Sequence, residues 1–308
     1  MVTPSDRQPT RAHPDTGHGI ALPFAALLLA ALAMATSPIF VRLAEIGPFA
    51  SAFWRVAGAL PLIWLWAAWE NRGQANAGIA AFRMSGASLV AGLLFAGDLL
   101  VWHLAILKTT VANATFLAMM APVWVVLGSG LLIGEKVGRA GVVGLLLCVA
   151  GAAALVGSSV SFAPDRLEGD LYGIATSVFF GAYFMAIRVA RRTAGTGQIL
   201  FQSSLISALV LIIAAFIAGD SLIPATGGGI LALIGLSYFS HAGGQGFLAY
   251  ALGHLPAAFS SLVTFLGSLV AATLAWLIFA EALSPIQAVG GVLILGGIYI
   301  ARPNARRS

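Results

Sequence analysis

The chain has 308 residues, of which 59% are hydrophobic and 9% are charged, and its formal net charge is +5 at pH 7. Its mean hydropathy of +0.96 excludes a water-soluble globular domain, because such domains are roughly half apolar and about one quarter charged. The positive charge does not indicate nucleic-acid binding, since the basic residues are distributed as membrane topology requires.

The sequence predicts an all-α polytopic membrane protein with ten transmembrane helices. Continuous apolar runs rich in Leu, Ala and Gly, each near the roughly 20 residues that cross a hydrocarbon core as a helix, differ from the alternating pattern of barrel strands. The predicted spans are 20–44, 49–69, 84–107, 110–134, 139–157, 168–192, 196–218, 228–252, 256–280 and 284–302.

Short polar segments divide the chain. Residues 1–19 form a polar tail with three prolines, which favours a retained first span over a cleaved signal peptide. Residues 158–167 form a linker, and residues 303–308 form a second tail. We expect 20–157 and 168–302 to be two five-helix repeats of one domain, because neither half can bury its small-residue faces alone.

The second half repeats the first at a shift of 146 residues. The coinciding pairs are Arg42/Arg188, Ala44/Ala190, Gly97/Gly243, Ala105/Ala251, Glu135/Glu281, Gly144/Gly290 and Gly151/Gly297. An odd number of crossings reverses the chain, so the second unit is inverted relative to the first. Inverted repeats are typical of secondary transporters, in which the two units exchange roles to open a central site to alternate sides.

Basic residues favour cytoplasmic N- and C-termini. With this orientation the outer segments hold only Arg42, Lys108 and Arg166. The inner segments hold Arg7, Arg11, Arg72, Arg83, Lys136, Arg139, Arg188, Arg191, Arg192, Arg302, Arg306 and Arg307. This is the bias of the positive-inside rule.

Polar residues that occur in one repeat only are the candidates for a site, because a symmetric scaffold does not require them. Arg55 is matched by Phe201, Asp98 by Gly244, and His241 by Phe95. Ionisable groups inside a span indicate function by default. Either Arg55 holds a substrate carboxylate, or Asp98 holds its ammonium group or a coupling proton, or the two residues neutralise each other and fix span two against span three.

Aromatic and small residues extend this candidate site. Trp102 lies one helical turn from Asp98 and suits an amino acid or an organic cation through cation–π contacts. Further lining candidates are Phe180, Tyr183, Trp124, Tyr250 and Gln245, although aromatic residues in spans are more often core or lipid-facing. Hinge candidates are Pro38, Pro122, Gly243 and Gly244; the alternative for the glycines is close approach of a neighbouring helix. His103 is expected at the interface.

The sequence lacks the motifs of ATP-driven pumps, intramembrane metalloproteases and serine hydrolases. We therefore predict no catalytic residue, no metal site and no cofactor. A lipid-modifying enzyme built around Asp98, His103 and His241 is the alternative function. Cys148 is the single cysteine, so the chain has no intrachain disulfide.

The chain resembles the drug/metabolite transporter superfamily, in its EamA-type ten-helix branch. The shared features are tandem five-helix units, an Arg at the end of the first helix of each unit and a Glu that closes the fourth helix. Within it, the chain is most similar to bacterial aromatic amino acid exporters. The resemblance implies a transporter of the cell inner membrane that exports small metabolites, amino acids or drugs, through a central cavity. Membrane lipid and a small-molecule substrate are the implied partners, and a homodimer through the glycine faces is a further hypothesis. Pro122 is matched by Ser268, so the two halves need not bend alike.

Overall fold

The computed structural model describes residues 20–73, 83–157, 163–270, 273 and 284–303, and within these ranges it contains helices and no strands. Ten helical segments lie at the positions of the ten predicted spans. They are α1 (Ala21–Leu43), α2 (Pro48–Glu70), α3 (Gly86–Lys108), α4 (Ala112–Ile133), α5 (Arg139–Val156), α6 (Pro164–Ala190), α7 (Thr196–Ala218), α8 (227–252), α9 (Ala257–Val270) and α10 (Pro285–Ala301). Helices α1 to α7 are each long and apolar enough to cross a membrane. The all-α polytopic prediction is confirmed.

Among the described helix boundaries, the start of α6 differs most from the prediction. Helix α6 begins at Pro164, inside the predicted linker 158–167, because proline is well suited to the first turn of a helix. The predicted tail 1–19, most of the tail 303–308 and Glu281 lie outside the described residues.

Several helices depart from regular α geometry, among them α1, α4 and α8. Helix α1 is interrupted at Thr36, just before Pro38, and α4 is interrupted after Ala118, just before Pro122. Proline cannot donate a backbone hydrogen bond to the preceding turn. Helix α8 contains a π-helical stretch, Gly235–Gln245, and such stretches are frequently found at functional sites.

Glycines on α5 and α10 show that the two halves are related by a twofold axis. A Cβ at Gly144 would lie 2.6 Å from the carbonyl oxygen of Gly297, and one at Gly151 would lie 2.5 Å from that of Gly290. At the shift of 146, Gly144 becomes Gly290 and Gly297 becomes Gly151, so exchanging the halves reproduces the contact. These glycine faces are covered within one chain and are not free to form a homodimer.

The remaining helix pairs obey the same exchange. Helix α6 packs on α3 as α1 packs on α8, while the pairs α2 with α7 and α4 with α9 map onto themselves. Because each repeat contributes five helices, an odd number, the second repeat runs through the membrane in the opposite direction to the first. The two repeats thus form one bundle whose axis passes between them.

Candidate functional site

A cavity of about 220 Å³ lies between the repeats. Four pairs of residues that coincide at the shift of 146 line it together: Met34/Phe180, Leu99/Gln245, Ala118/Thr264 and Ala121/Gly267. Since each pair contributes one residue from each repeat, the cavity lies on the twofold axis.

The cavity extends toward one side of the membrane only. It is lined by the C-terminal halves of α1 and α3 and by the N-terminal halves of α2 and α4. These helix halves meet at the end of the bundle that the basic residues assign to the outside. In the predicted orientation, the cavity therefore occupies the middle and outer part of the bundle.

Arg55 is the cation of this cavity and is 7% exposed. Its Nη1 donates a hydrogen bond to Ser37 Oγ at 3.0 Å, and its guanidinium carbon lies 5.8 Å from the ring centroid of Phe95. The Nε atom is buried and has no partner within the described part of the chain. Arg55 is thus anchored on one edge and retains an unused donor.

Asp98 is the acid of the same cavity and is also 7% exposed. It interacts electrostatically with Arg55, yet no ion pair within 4.0 Å joins them, and the described ranges contain no hydrogen bond to its carboxylate. A buried charge without a close partner is costly. The two opposite charges face one small space without contacting each other.

The opposite end of the bundle is closed by residues from both repeats. Arg188 Nε donates to Glu135 Oε1 at 2.5 Å, and Arg188 Nη1 donates to the Leu252 carbonyl at 2.7 Å. Glu135 Oε2 accepts from the Ala257 N–H at 2.9 Å. A cation suits the C-terminus of α8 and an anion suits the N-terminus of α9. Two side chains therefore tie α4, α6, α8 and α9 together below the cavity.

Residues 22–157 and 167–302 each match the EamA-like transporter family. The chain belongs to this family. It is 31% identical over 209 residues to a protein named pseudopaline exporter CntI in two strains of Pseudomonas aeruginosa, covering 67% of this chain and 71% of that protein. A solved structure described only as "Crystal structure of protein" has a TM-score of 0.75 at 22% identity, covers 93% of this chain and 98% of its own, and shows the same fold.

Several residues predicted for the site meet in the cavity of this EamA-like transporter. Arg55, Asp98, Trp102, Phe180 and Gln245 line it. The predicted hinge residues Pro38 and Pro122 also line it, next to the helix interruptions described above. These residues come from six helices, so the bundle brings distant parts of the chain together.

Other predicted lining residues lie outside the cavity of this transporter. Tyr183 is buried with its ring centroid 4.8 Å from that of Phe95. His241 is also buried, and its Nε2 lies 2.8 Å from Ser204 Oγ. Neither residue lines the cavity.

Trp124 and Tyr250 have other partners. Trp124 Nε1 donates to Ser177 Oγ at 2.8 Å, and the ring of Tyr250 contacts that of His254 at 4.6 Å. The predicted hinge residues Gly243 and Gly244 lie in the π-helical stretch. A Cβ at Gly244 would lie 2.8 Å from Met34 Cγ, so this glycine also admits α1.

His103, expected at the interface, is covered by protein near the C-terminal end of α3. His103 is 2% exposed, and its Nδ1 is 2.7 Å from the Leu99 carbonyl oxygen. Its ring lies between those of Phe49 and Trp102. The first turn of α2 covers this position, a tertiary contact that sequence position within one span does not reveal.

Thr176 was missed by the sequence analysis. It lines the cavity, is 3% exposed, and its Oγ1 has no hydrogen-bond partner in the described structure. The repeat register gives one signal for a second missed residue, Met34, because it coincides with the candidate Phe180. Thr176, whose counterpart is Ala30, is also a polar residue of one repeat only, but that criterion was applied to ionisable residues alone.

Proposed function

We propose that this transporter exports small zwitterionic metabolites, with amino acids that carry an aromatic side chain as the preferred substrates, by alternating access through the axial cavity. The observation that carries the proposal is that Arg55 and Asp98 face one small cavity without pairing. A substrate that bears both a carboxylate and an ammonium group satisfies both residues at once. Such charge-assisted hydrogen bonds are the strong ones.

The walls and size of the cavity support a compact substrate. Trp102 and Phe180 supply aromatic surfaces next to Asp98, and aromatic faces attract cations and stack with flat side chains. A volume of about 220 Å³ is smaller than the roughly 300–1,000 Å³ of pockets for drug-sized ligands. These features favour a metabolite of amino-acid size over a bulky drug.

The direction and place of transport follow from the charge distribution and from the relatives. The positive-inside bias gives cytoplasmic N- and C-termini, and the family resemblance gives a bacterial inner membrane. A relative that is named an exporter supports outward transport. Pseudopaline, the substrate in the name of that relative, is the second candidate substrate for this chain.

An enzymatic role has less support. Asp98 lines the cavity, whereas His103 and His241 do not, so the three residues proposed for lipid chemistry do not share one space. Membership of a transporter family favours transport over catalysis.

The test is counterflow into proteoliposomes that contain the purified protein and an internal pool of unlabelled phenylalanine. Labelled phenylalanine should accumulate transiently. Competition should need both charges: 3-phenylpropionate, which has only the carboxylate, and phenethylamine, which has only the ammonium group, should each compete at least about tenfold more weakly than phenylalanine. This expectation assigns about 1.5–3 kcal/mol to each charged hydrogen bond, where 1.4 kcal/mol is tenfold.

Two results would contradict the proposal. Equal competition by all three compounds would show that binding does not require both the carboxylate and the ammonium group of the substrate. Counterflow of pseudopaline in the absence of any amino acid counterflow would select the second candidate substrate.

A further inference from the structure

Many residues that line the cavity have a counterpart that is buried and does not line it. Six such pairs, with the cavity residue first, are Ser37/Tyr183, Pro38/Phe184, Phe95/His241, Trp102/Leu248, Thr115/Ser261 and Pro122/Ser268. The second member of each pair is at most 6% exposed. The two halves are similar in sequence, but in this structure the first-repeat members of these pairs line the cavity and the second-repeat members are buried.

We propose that these six counterparts, Tyr183, Phe184, His241, Leu248, Ser261 and Ser268, form a second lining that faces the cytoplasm in the alternate state. The proposal rests on the alternating access of the proposed function. In an inverted-repeat transporter, opening to the other side is achieved when each repeat adopts the conformation of the other. The axial residues, such as Phe180 and Gln245, then serve both linings, while the others are exchanged.

The second lining differs chemically from the first. Arg55 corresponds to Phe201 and Asp98 to Gly244, so the cytoplasm-facing lining has neither charge. It contains aromatic rings instead: the axial Phe180 lies 6.1 Å from Tyr183 and 5.0 Å from Phe184, and Tyr183 and His241 each pack against Phe95 of the first lining. This lining suits the aromatic or apolar part of a substrate.

Unpartnered polar atoms identify where a substrate or water would bind in that state. His241 Nδ1 and Gln245 Oε1 are buried without a hydrogen-bond partner among the described residues. An unsatisfied buried polar atom costs about 1–3 kcal/mol. Both residues belong to the π-helical stretch of α8. Opening this side would give the two atoms partners and so recover that cost.

The closed end of the bundle is held by polar contacts that must break before it can open. Glu135 and Arg188 join the ends of four helices directly below the second lining. Their counterparts at the other end are Glu281, outside the described residues, and Arg42, whose side chain is exposed. The Glu135–Arg188 contacts are therefore formed at the end of the bundle where the second lining is closed.

Single-cysteine labelling tests the proposal on the full-length protein. Cys148 is the single cysteine, so Cys148→Ala provides a background in which Thr115→Cys and Ser261→Cys form a symmetry-matched pair. A charged, membrane-impermeant thiol reagent is applied to right-side-out and to inside-out vesicles. Ser203→Cys is the control, because Ser203 is 2% exposed and belongs to neither lining.

We expect Thr115→Cys to react from the outer face and Ser261→Cys to react from the cytoplasmic face, each at least about tenfold faster than from the opposite face. Reaction of Ser261→Cys from the outer face would overturn the proposal, as would its failure to react from either face in a variant that transports. If Ser261→Cys does not transport, Ser268→Cys takes its place with the same expected result, and failure there overturns the proposal.

Labelling and transport report separate properties. Sided labelling without amino acid counterflow would leave the second lining standing and reject the proposed substrate. Counterflow without sided labelling would do the reverse.

Discussion

Arg188 Nε donates a hydrogen bond to Glu135 Oε1 at 2.5 Å, and this pair joins the two repeats at the end of the bundle where the cavity is closed. The pair resembles a scaffold contact in sequence, because Arg42 and Glu281 repeat it. In the structure it also connects α4 of the first repeat to the N-terminus of α9 in the second. It therefore holds closed the side that transport must open.

Replacing Glu135 by Gln should favour the state that is open to the cytoplasm. The change removes the charge of the contact while keeping its shape. The side chains are 21% and 19% exposed, so solvent screens part of a contribution that is about 1.5–3 kcal/mol for a charged hydrogen bond. We expect Ser261→Cys to react about threefold to tenfold faster from the cytoplasmic face in the Glu135→Gln background.

The matched control for this change is Glu168→Gln, which breaks the Lys108–Glu168 pair at the outer end. That pair has N···O at 3.3 Å and is more than half exposed, so its loss should leave the labelling rate unchanged. An equal effect of both substitutions would mean that net charge, and not the Glu135 contact, controls the change.

Arg55 and Asp98 can be distinguished as binding residues or as a neutralising pair by a double-substitution cycle. The variants are Arg55→Gln, Asp98→Asn and both together, and the measurement is the KM and kcat of amino acid counterflow. If both residues bind the substrate, each single variant should raise KM about tenfold or more, and the double variant should be worse than either. If they only neutralise each other, the double variant should regain activity that each single variant lost.

Thermal stability of the same variants supplies a second readout. Removing one partner of a buried pair leaves the other charge uncompensated and strongly destabilises the protein, whereas removing both does not. Recovery of both stability and transport in the double variant would contradict a binding role.

Most of the fold could be predicted from the sequence, because the two halves repeat in a fixed register. Gly144, Gly151, Gly290 and Gly297 must admit another backbone, so they remain glycine in both halves and reveal the axis. Arg55 and Asp98 were found because ionisable groups in lipid-spanning helices are few and costly. These signals depend on physical constraints that act on single residues.

The lining was harder to predict because it depends on tertiary structure. The π-helical stretch of α8 widens its turns, so α-helical spacing misplaces which residues share a face. Tyr183 was predicted from its residue type and His241 from its occurrence in one repeat only, and both are buried outside the cavity. Thr176 occurs in one repeat only, but it was not selected because a hydroxyl in an apolar helix usually bonds to its own backbone.

Thr176→Val should weaken substrate binding without destabilising the fold. The Oγ1 atom is buried and unpartnered, so replacing the hydroxyl by a methyl of similar size should leave the apparent melting temperature unchanged or raise it. Because this hydroxyl has no protein partner, we expect it to donate to the substrate. Its loss should then raise the KM of counterflow about threefold to tenfold.

The neighbouring residue is the control for Thr176. Ser177 Oγ accepts from Trp124 Nε1 and donates to the Ile174 carbonyl at 2.7 Å, and it does not line the cavity. Ser177→Ala should lower the melting temperature and leave KM unchanged. A rise in KM for Ser177→Ala with none for Thr176→Val would remove Thr176 from the binding site.

Replacing either of two adjacent glycines on α10 by alanine should have opposite effects on thermal stability. At Gly297 a Cβ would lie 2.6 Å from the Gly144 carbonyl oxygen, whereas at Gly296 a Cβ would meet nothing within 4 Å. Forcing a methyl group into a packed contact costs about 1–3 kcal/mol, while alanine in an unobstructed helical position gains helix propensity over glycine. Gly297→Ala should therefore lower the apparent melting temperature of the purified protein in detergent, and Gly296→Ala should leave it unchanged or raise it.

The same pair tests whether the α5–α10 contact is a fixed support for the moving helices. The contact maps onto itself when the repeats exchange, so both states of the transporter can retain it. Gly297→Ala should then reduce stability while the ratio of outer to cytoplasmic labelling at Thr115→Cys and Ser261→Cys stays constant. A change in that ratio without a loss of stability would place α5 and α10 among the elements that move.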